Sequence, residues 1–160
     1  MKRVIIYYSY TNHTKMICDM IGEELDCDIF CIKTKNEEEL GYQELVDKYE
    51  NNEIEKPIVD IENLSINLND YDEIILGTPV WWYSIPPSVR AFLSNYDLSG
   101  KIVIPFATNA GWLGSTFQEI KSLCKNSTVK CEMNIVFTSD YKNPKLVTSR
   151  NKIYDWIKEL

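Results

Sequence analysis

The chain has 160 residues and a mass of 18.7 kDa, with 44% apolar and 26% charged residues, so it can fill one core, and we expect a single domain over residues 1–160. This composition excludes a disordered chain, a collagen-like fibre and a coiled coil, while a formal net charge of −7 argues against nucleic acid or an anionic membrane as partner. The apolar runs are short, which predicts that no segment spans a membrane. The chain has five cysteines without a C-x-x-C pair and a single histidine, which predicts that it has no metal site. We expect the thiols to be reduced and the protein to be cytoplasmic.

Short apolar runs alternate with helix-like patterns from the start of the chain. Residues 4–8 are a β-branched and aromatic run, which predicts the first strand. From Thr14 onwards apolar residues recur at a spacing of four, which predicts an amphipathic helix. Residues 28–32 predict the second strand.

The next segment is strongly acidic. Residues 34–73 carry 13 acidic residues against three lysines. Apolar residues at helical spacing between Tyr42 and Tyr49 predict a second helix that ends before Pro57. Two interpretations of the charge stay open: the outer face of this helix is simply solvated, or it is a docking surface for a basic partner.

The second half of the chain repeats the alternation. Further apolar runs predict three strands, over residues 74–77, 102–107 and 131–137. Pro86 and Pro87 introduce a third helix, since prolines are tolerated in a first turn. Ser115 and Gln118 have the spacing of a capping box at the start of a fourth helix. A terminal amphipathic helix follows the last strand.

Five strands alternating with five helices are typical of an α/β fold with three layers, in which a doubly wound parallel sheet lies between two layers of helices. In such a sheet, ligands bind beyond the carboxyl ends of the strands, near the point where the strand order reverses. The loops after the first, third and fourth strands are therefore the candidate site.

The first of these loops places hydroxyl groups directly before a helix. Its residues are Ser9, Tyr10, Thr11, Asn12, His13 and Thr14. Backbone N–H groups and the helix dipole favour an anion at a helix start, so the loop predicts a phosphate cradle. The alternative is that Thr11 or Asn12 simply caps the helix, and His13 either contacts the phosphate or faces solvent. The loop lacks the glycines and lysine of a nucleotide P-loop, which suits a phosphate that is held and not transferred.

The other two loops carry aromatic and small residues. They are Pro79, Val80, Trp81, Trp82 and Tyr83 in one loop, and Thr108, Asn109, Ala110, Gly111 and Trp112 in the other. Three adjacent rings cannot all enter one core, so we expect at least one to line a pocket for a flat ligand. The alternative is that all three cap the edge of the core. A planar ring would fit between the two loops.

Together these motifs resemble the flavodoxins. The run Ser9-x-Thr11-x-x-Thr14 is similar to the family's phosphate loop Thr/Ser-x-Thr-Gly-x-Thr, and the two other loops fall where the family binds its flavin ring. The resemblance covers essentially the whole chain, and the short connection after the last strand indicates the short-chain type. It implies the strand order 2-1-3-4-5, a flavodoxin-like fold, and non-covalent FMN held by the residues of the three loops.

Two residues depart from the family pattern. Asn12 stands where glycine is usual, and asparagine is the side chain that best tolerates the positive φ needed there. Tyr83 stands where related chains often have glycine, whose peptide can flip to bond the reduced flavin. A tyrosine makes such a flip more costly, which favours two-electron chemistry.

The resemblance implies an electron-transfer protein, to which we assign no catalytic residue of its own. The net charge of −7 and a phosphate without a compensating cation disfavour added negative charge on the flavin, which predicts a low potential for full reduction. We expect its redox partners to present a basic docking face, and the protein to be a monomer or a weak dimer. The alternative is an FMN-dependent NAD(P)H quinone or nitro reductase, which the same fold and cofactor would support. A flavin-free binding or signalling domain is a third class, but Tyr7-Tyr8-Ser9 replaces the acidic pair that a receiver domain needs.

Overall fold

The protein folds around a parallel β-sheet whose central strands are apolar runs buried on both faces. The computed structural model describes residues 1–35, 40–140 and 142–160. Within these residues the strands are β1 (Arg3–Tyr7), β2 (Asp28–Cys31), β3 (Glu73–Pro79), β4 (Ile102–Asn109), β5 (Thr128–Val129) and β6 (Met133–Val136). The helices are α1 (His13–Leu25), α2 (Tyr42–Tyr49), α3 (Asn52–Glu55), α4 (Pro87–Asn95), α5 (Thr116–Leu123) and α6 (Arg150–Glu159), with a 3₁₀ turn over Leu68–Asp70.

The strand order is β2-β1-β3-β4-β5, and the strands pair in parallel, so the order 2-1-3-4-5 is confirmed. The fifth position holds two short strands, because β6 also pairs with β4. The prediction of one strand over 131–137 is therefore wrong in its bounds. Cys131 has a φ of 55°, outside the range of strand residues, and it separates β5 from β6.

Helices cover both faces of the sheet, as the three-layer prediction requires. On one face Ile17 of α1 and Ile153 of α6 are buried in one cluster with Ile75 of β3. On the other face Phe92 of α4 and Ile120 of α5 are buried in a second cluster, together with alternate residues of β1 and β3. This division follows from the period of two along each strand. Among the described residues, no helix is long and apolar enough to cross a membrane.

The second helix ends before Pro57, as predicted, and its last residue is Tyr49. Asn51 leaves the helical region, with φ −102° and ψ 21°, and α3 then forms a separate single turn. The break turns the Asn52 side chain inwards, where it is fully buried and bonds the backbone of another loop. A tertiary contact therefore overrides the local helical pattern.

The predicted capping box at Ser115 is also wrong. Ser115 does precede α5, but its side chain accepts no hydrogen bond from the first turn. Its hydroxyl instead donates to the carbonyl oxygen of Tyr83 at 3.3 Å. The loop before α5 is thus fastened to the loop after β3.

Gly77 is the position in β3 where a side chain cannot be accommodated. A Cβ there would lie 2.6 Å from Phe106 Cζ and 3.0 Å from Tyr7 Cβ. We predict that Gly77→Ala lowers the free energy of unfolding by about 1–3 kcal/mol, measured by urea denaturation. Adding Phe106→Leu removes the ring atoms that the new Cβ meets, so the double variant should lose less than the sum of the single losses. Strictly additive losses would contradict this steric explanation.

Candidate functional site

The three loops predicted to form the site lie at one edge of the sheet. Strand pairing sets Tyr7 beside Gly77 and Pro79 beside Thr108, so β1, β3 and β4 end next to one another. Thr108 joins the three loops directly. Its hydroxyl lies 2.8 Å from that of Thr14, and its carbonyl oxygen accepts from the Val80 N–H at 3.1 Å. The structure therefore brings the predicted residues together, and their contacts with a ligand stay predictions.

The first loop leaves the start of α1 without a side-chain cap from Asn12, so a simple cap by that residue is wrong. Asn12 has a φ of 65°, the left-handed conformation expected where the family has glycine. Ser9 Oγ accepts from the Lys15 N–H at 3.3 Å, and Thr11 Oγ1 pairs with His13 Nδ1 at 3.2 Å. No acidic residue lies in the first turn, so its amides and dipole suit an anion.

His13 is not a freely solvated side chain. Its ring stacks on Phe137, with centroids 4.6 Å apart and an angle of 15° between the planes. Burial lowers the pKa of His13 below its ordinary value, which favours the neutral imidazole. Sequence reasoning missed Phe137, because its position at the end of the last predicted strand indicated only a core residue.

The three aromatic residues after β3 take different positions. The Trp81 ring packs against other aromatic rings at the edge of the core, with centroids 6.2 Å from Tyr10 and 6.1 Å from Tyr49. For this residue, the interpretation that the rings cap the edge of the core is therefore correct. Trp82 lies edge-on to Trp81 at 6.0 Å and is half-buried. The Tyr83 side chain is 47% exposed. Trp82 and Tyr83 therefore remain available to a ligand at this edge.

Trp82 and Tyr83 form a left-handed turn. Their φ angles are 47° and 63°, and Trp81 and Ser84 exchange two backbone hydrogen bonds of 2.9 and 3.1 Å across the turn. Two successive positive φ angles define a type I′ turn, in which asparagine and glycine are usual. Each such residue other than glycine costs roughly 1–2 kcal/mol. The surrounding structure must supply contacts that hold this turn.

Part of this support comes from the loop before α5. Gly114 lies so close to the turn that a Cβ on it would come within 2.6 Å of Tyr83 Cα. The Tyr83 carbonyl oxygen accepts from the Ser115 N–H at 2.8 Å and from the Ser115 hydroxyl. The peptide after Tyr83 therefore cannot rotate without breaking both hydrogen bonds.

A buried charged network supplies the rest. Arg90 and Glu119 are both buried, and Arg90 Nε donates to Glu119 Oε1 at 2.6 Å. The Ser84 hydroxyl donates to Glu119 Oε2, and Asn52 Nδ2 donates to the Trp81 carbonyl oxygen at 2.9 Å. Burial raises the pKa of Glu119, but the hydrogen bonds from Arg90 and Ser84 and the nearby positive charges outweigh it and lower the pKa.

Sequence reasoning missed this network, although part of it left a signal. Arg90 stands alone in the apolar run of residues 89–93, and Glu119 precedes the buried Ile120. A lone charge within an apolar helix face indicates a buried partner of opposite sign. Asn52 left no such signal, because it lies in an acidic and mostly exposed segment.

The loop after β4 is held by an asparagine. Asn109 Oδ1 accepts from the Gly111 N–H at 2.8 Å, and Asn109 Nδ2 donates to Asn134 Oδ1 at 2.6 Å. Gly111 adopts a φ of 108°, and the Trp112 side chain next to it is 59% exposed. The loop is thus fixed at its base and presents a ring to solvent.

A cavity of 290 Å³ lies beside the aromatic loop. Its lining includes Tyr10, Tyr42, Leu45, Val46, Val80, Trp81 and Trp82. Sequence reasoning assigned Tyr42, Leu45 and Val46 only to the core face of a helix. A larger cavity of 490 Å³ lies behind Asn52, but its charged lining is of both signs and favours no ligand class. The aromatic lining of the smaller cavity suits a flat ring, but it includes no residue of 108–112, so this cavity is not the space between the two loops where the sequence predicts the ring.

Comparison with known proteins identifies the family. The flavodoxin family model matches residues 2–160. The chain belongs to the flavodoxin family. Membership supports FMN as the cofactor of this flavodoxin, as the resemblance of the three loops implies. A search of the curated proteins gave no match.

Several solved structures are similar to this flavodoxin. A candidate flavoprotein from Bacteroides uniformis has a TM-score of 0.77 and 23% identity, covering 98% of this chain and 97% of its own. A Lactobacillus acidophilus flavoprotein in complex with FMN has a TM-score of 0.65 and 22% identity, and the match covers 83% of this chain and 91% of that protein. A Streptococcus pneumoniae flavodoxin has a TM-score of 0.55 and 13% identity, covering 99% and 94%. At these identities the likeness shows the fold.

The contact between Gly114 and Tyr83 can be tested against a matched glycine. Gly111 also has a positive φ, but a Cβ on it would meet no atom within 4 Å. We predict that Gly111→Ala loses only the strain of its φ, about 1–2 kcal/mol of unfolding free energy, while Gly114→Ala loses more. Urea denaturation followed by tryptophan fluorescence measures both. Equal losses would show that Tyr83 does not rest on Gly114.

The Glu119 carboxylate should make stability depend on pH. Its pKa in the folded state lies below the ordinary 4.5, so its contribution is complete above that value and disappears as the pH falls through the lower folded-state pKa. We predict that Glu119→Gln lowers the free energy of unfolding at pH 7 by about 3–5 kcal/mol, because the buried Arg90 loses its counter-charge, and that the difference from the unmodified protein shrinks at acid pH. Urea denaturation at a series of pH values measures this. Glu53→Gln, which removes an exposed charge, is the control, and a difference that does not change with pH would contradict the prediction.

Proposed function

We propose that this flavodoxin binds FMN without a covalent bond and carries electrons at low potential between partner proteins. The observation that carries the proposal is the junction at Thr108, which joins an acid-free helix start to exposed aromatic rings at one edge of the sheet. The first feature suits a phosphate and the second a planar ring. The Lactobacillus acidophilus flavoprotein, which has this fold, was solved in complex with FMN, and this supports the proposal.

Each part of the site has a role in this proposal. Ser9, Thr11 and the first amides of α1 bind the phosphate, and Thr14 holds the loop to Thr108 while facing the same anion. Trp82 and Tyr83 contact one face of the ring system, and residues 108–112 close the other. Bound FMN supplies the redox chemistry, while the protein sets its orientation, its access to water and the charge around it.

The electron-carrier proposal is supported by the exposure of the site. Tyr83 and Trp112 are about half exposed, so a ring held beside them keeps an edge within reach of another protein. The acidic side chains of α2 and α3 are exposed, and Asn52 of α3 bonds the aromatic loop, so this acidic face lies next to the site. A redox partner with a basic docking face would be steered to it. We propose that the protein acts as a monomer or a weak dimer, and its net charge of −7 disfavours added electrons and lowers the potential.

One observation favours the second candidate, an FMN-dependent NAD(P)H quinone or nitro reductase. The Tyr83 carbonyl oxygen is bound by the N–H and hydroxyl of Ser115 and does not turn freely towards a flavin. Without that movement the protein lacks one means of favouring one-electron steps, which suits transfer of electron pairs.

The binding proposal is tested by comparing FMN with riboflavin, which lacks the phosphate. We predict that FMN binds more tightly, and that Thr11→Ala weakens FMN by about tenfold while leaving riboflavin unchanged, because a hydrogen bond to a charged group contributes about 1.5–3 kcal/mol. Quenching of flavin fluorescence on titration with protein measures both affinities. Equal affinity for the two flavins would contradict the phosphate cradle.

The FMN-loaded protein then separates the two candidate functions. We expect photoreduced protein to pass single electrons to cytochrome c, a basic protein, at a rate that falls with rising salt concentration. We expect no steady consumption of NAD(P)H with a quinone. Sustained NAD(P)H oxidation would instead establish the reductase.

A further inference from the structure

We propose that Asn52 is a positioning residue that sets the aromatic loop of the flavin site, with Arg90 and Glu119 as its support. This inference rests on the proposed FMN site, because residues 81–85 form one wall of it. Neither the loop motifs nor the phosphate cradle includes these three residues, which come from α3, α4 and α5. They contact the loop on its buried side, away from its exposed rings.

Asn52 holds both ends of the turn with one nitrogen atom. Its side chain is fully buried, and Nδ2 donates to the Trp81 carbonyl oxygen at 2.9 Å and to the Ile85 carbonyl oxygen at 3.2 Å. These two carbonyl groups bracket the turn residues Trp82 and Tyr83. A single amide group therefore ties the two ends of the loop together, in addition to the Trp81–Ser84 backbone hydrogen bonds.

Arg90 determines how that amide is turned. Its Nη1 donates to Asn52 Oδ1 at 3.2 Å, and a guanidinium can only donate, so the oxygen of the amide faces Arg90 and the nitrogen faces the loop. Arg90 also donates to the carbonyl oxygens of Pro57 at 2.6 Å and Ile85 at 3.0 Å. It is itself fixed by the Glu119 carboxylate at 2.6 Å.

The network holds a conformation that the loop would not adopt unaided. Trp82 and Tyr83 both have positive φ angles without being glycine, and such strain persists only where surrounding contacts determine the backbone. A buried ion pair adds little net stability, because its desolvation offsets the attraction, and apolar side chains would fill the space as well. Its bonds to residues 81, 84 and 85 point to loop geometry as its main effect.

The test removes the Asn52 Nδ2 donor and keeps a side chain of nearly the same shape. Asn52→Asp retains an oxygen for Arg90 but loses both hydrogen bonds to the loop, and Ser84→Ala is a milder variant that removes only the link to Glu119. Ile157→Val is the matched control, since Ile157 is buried in the cluster on the opposite face of the sheet and its helix ends near Arg3. Each variant is compared with the unmodified protein by thermal unfolding, by amide hydrogen exchange without flavin, and by affinity for FMN and riboflavin.

We expect Asn52→Asp to speed exchange of the Trp81 and Ser84 amides while the amides of β4 stay protected. The dissociation constants for FMN and riboflavin should rise by the same factor, about tenfold, because the ring site is altered and the phosphate cradle is not. Ser84→Ala should change both quantities in the same direction and by less.

Unchanged exchange at these two amides, or unchanged flavin affinity, would overturn the assignment of Asn52. Equal effects of Ile157→Val on flavin affinity would also overturn it, since they would trace the change to stability alone. Failure of the unmodified protein to bind either flavin would overturn the proposed function itself. These results are distinguishable because the unmodified protein is measured first.

Discussion

The ion pair between Arg90 and Glu119 is the interaction on which the candidate site depends. It joins α4 to α5 beneath the carboxyl edge of the sheet and leaves no charge of either residue unpaired. Removal of either partner would leave the other buried without a counter-charge, which in proteins costs roughly 3–5 kcal/mol of stability. The loop above it and the short helix α3 make contacts that end on this pair, through Ser84, Ile85 and Asn52.

Much of the fold follows from local patterns. The apolar runs and the helical spacing of residues such as Ile17 and Ile120 are sufficient for the order of the elements, because a buried strand and an amphipathic helix have distinct periods. The confirmed strand order came from the resemblance of the loops to a known family. The location of the three loops followed from the parallel sheet, whose strands end at a common edge.

Tertiary contacts explain what the sequence did not reveal. Asn51 and Asn52 are identical in type, yet only the second is buried, because the distant carbonyl groups of Trp81 and Ile85 lie where its side chain points. Ser115 has the local features of a cap, but its hydroxyl is turned to donate to the Tyr83 carbonyl oxygen and accepts no hydrogen bond from the first turn of α5. Cys131 interrupts a β-like run through a positive φ that cysteine rarely adopts.

The division of the sheet edge at Cys131 has a consequence for the evolution of the fold. β5 and β6 each pair with β4 independently. Lys130 N–H still donates to the Val103 carbonyl oxygen of β4 at 3.1 Å, and residues 131–132 pair with no strand among the described residues. Additional chain inserted at this point would loop out into solvent without breaking a rung of either ladder, and the entropy of a longer surface loop grows only slowly with its length. The chain can therefore lengthen at this edge of the sheet, while the carboxyl end of β4 still holds the loop that carries Trp112.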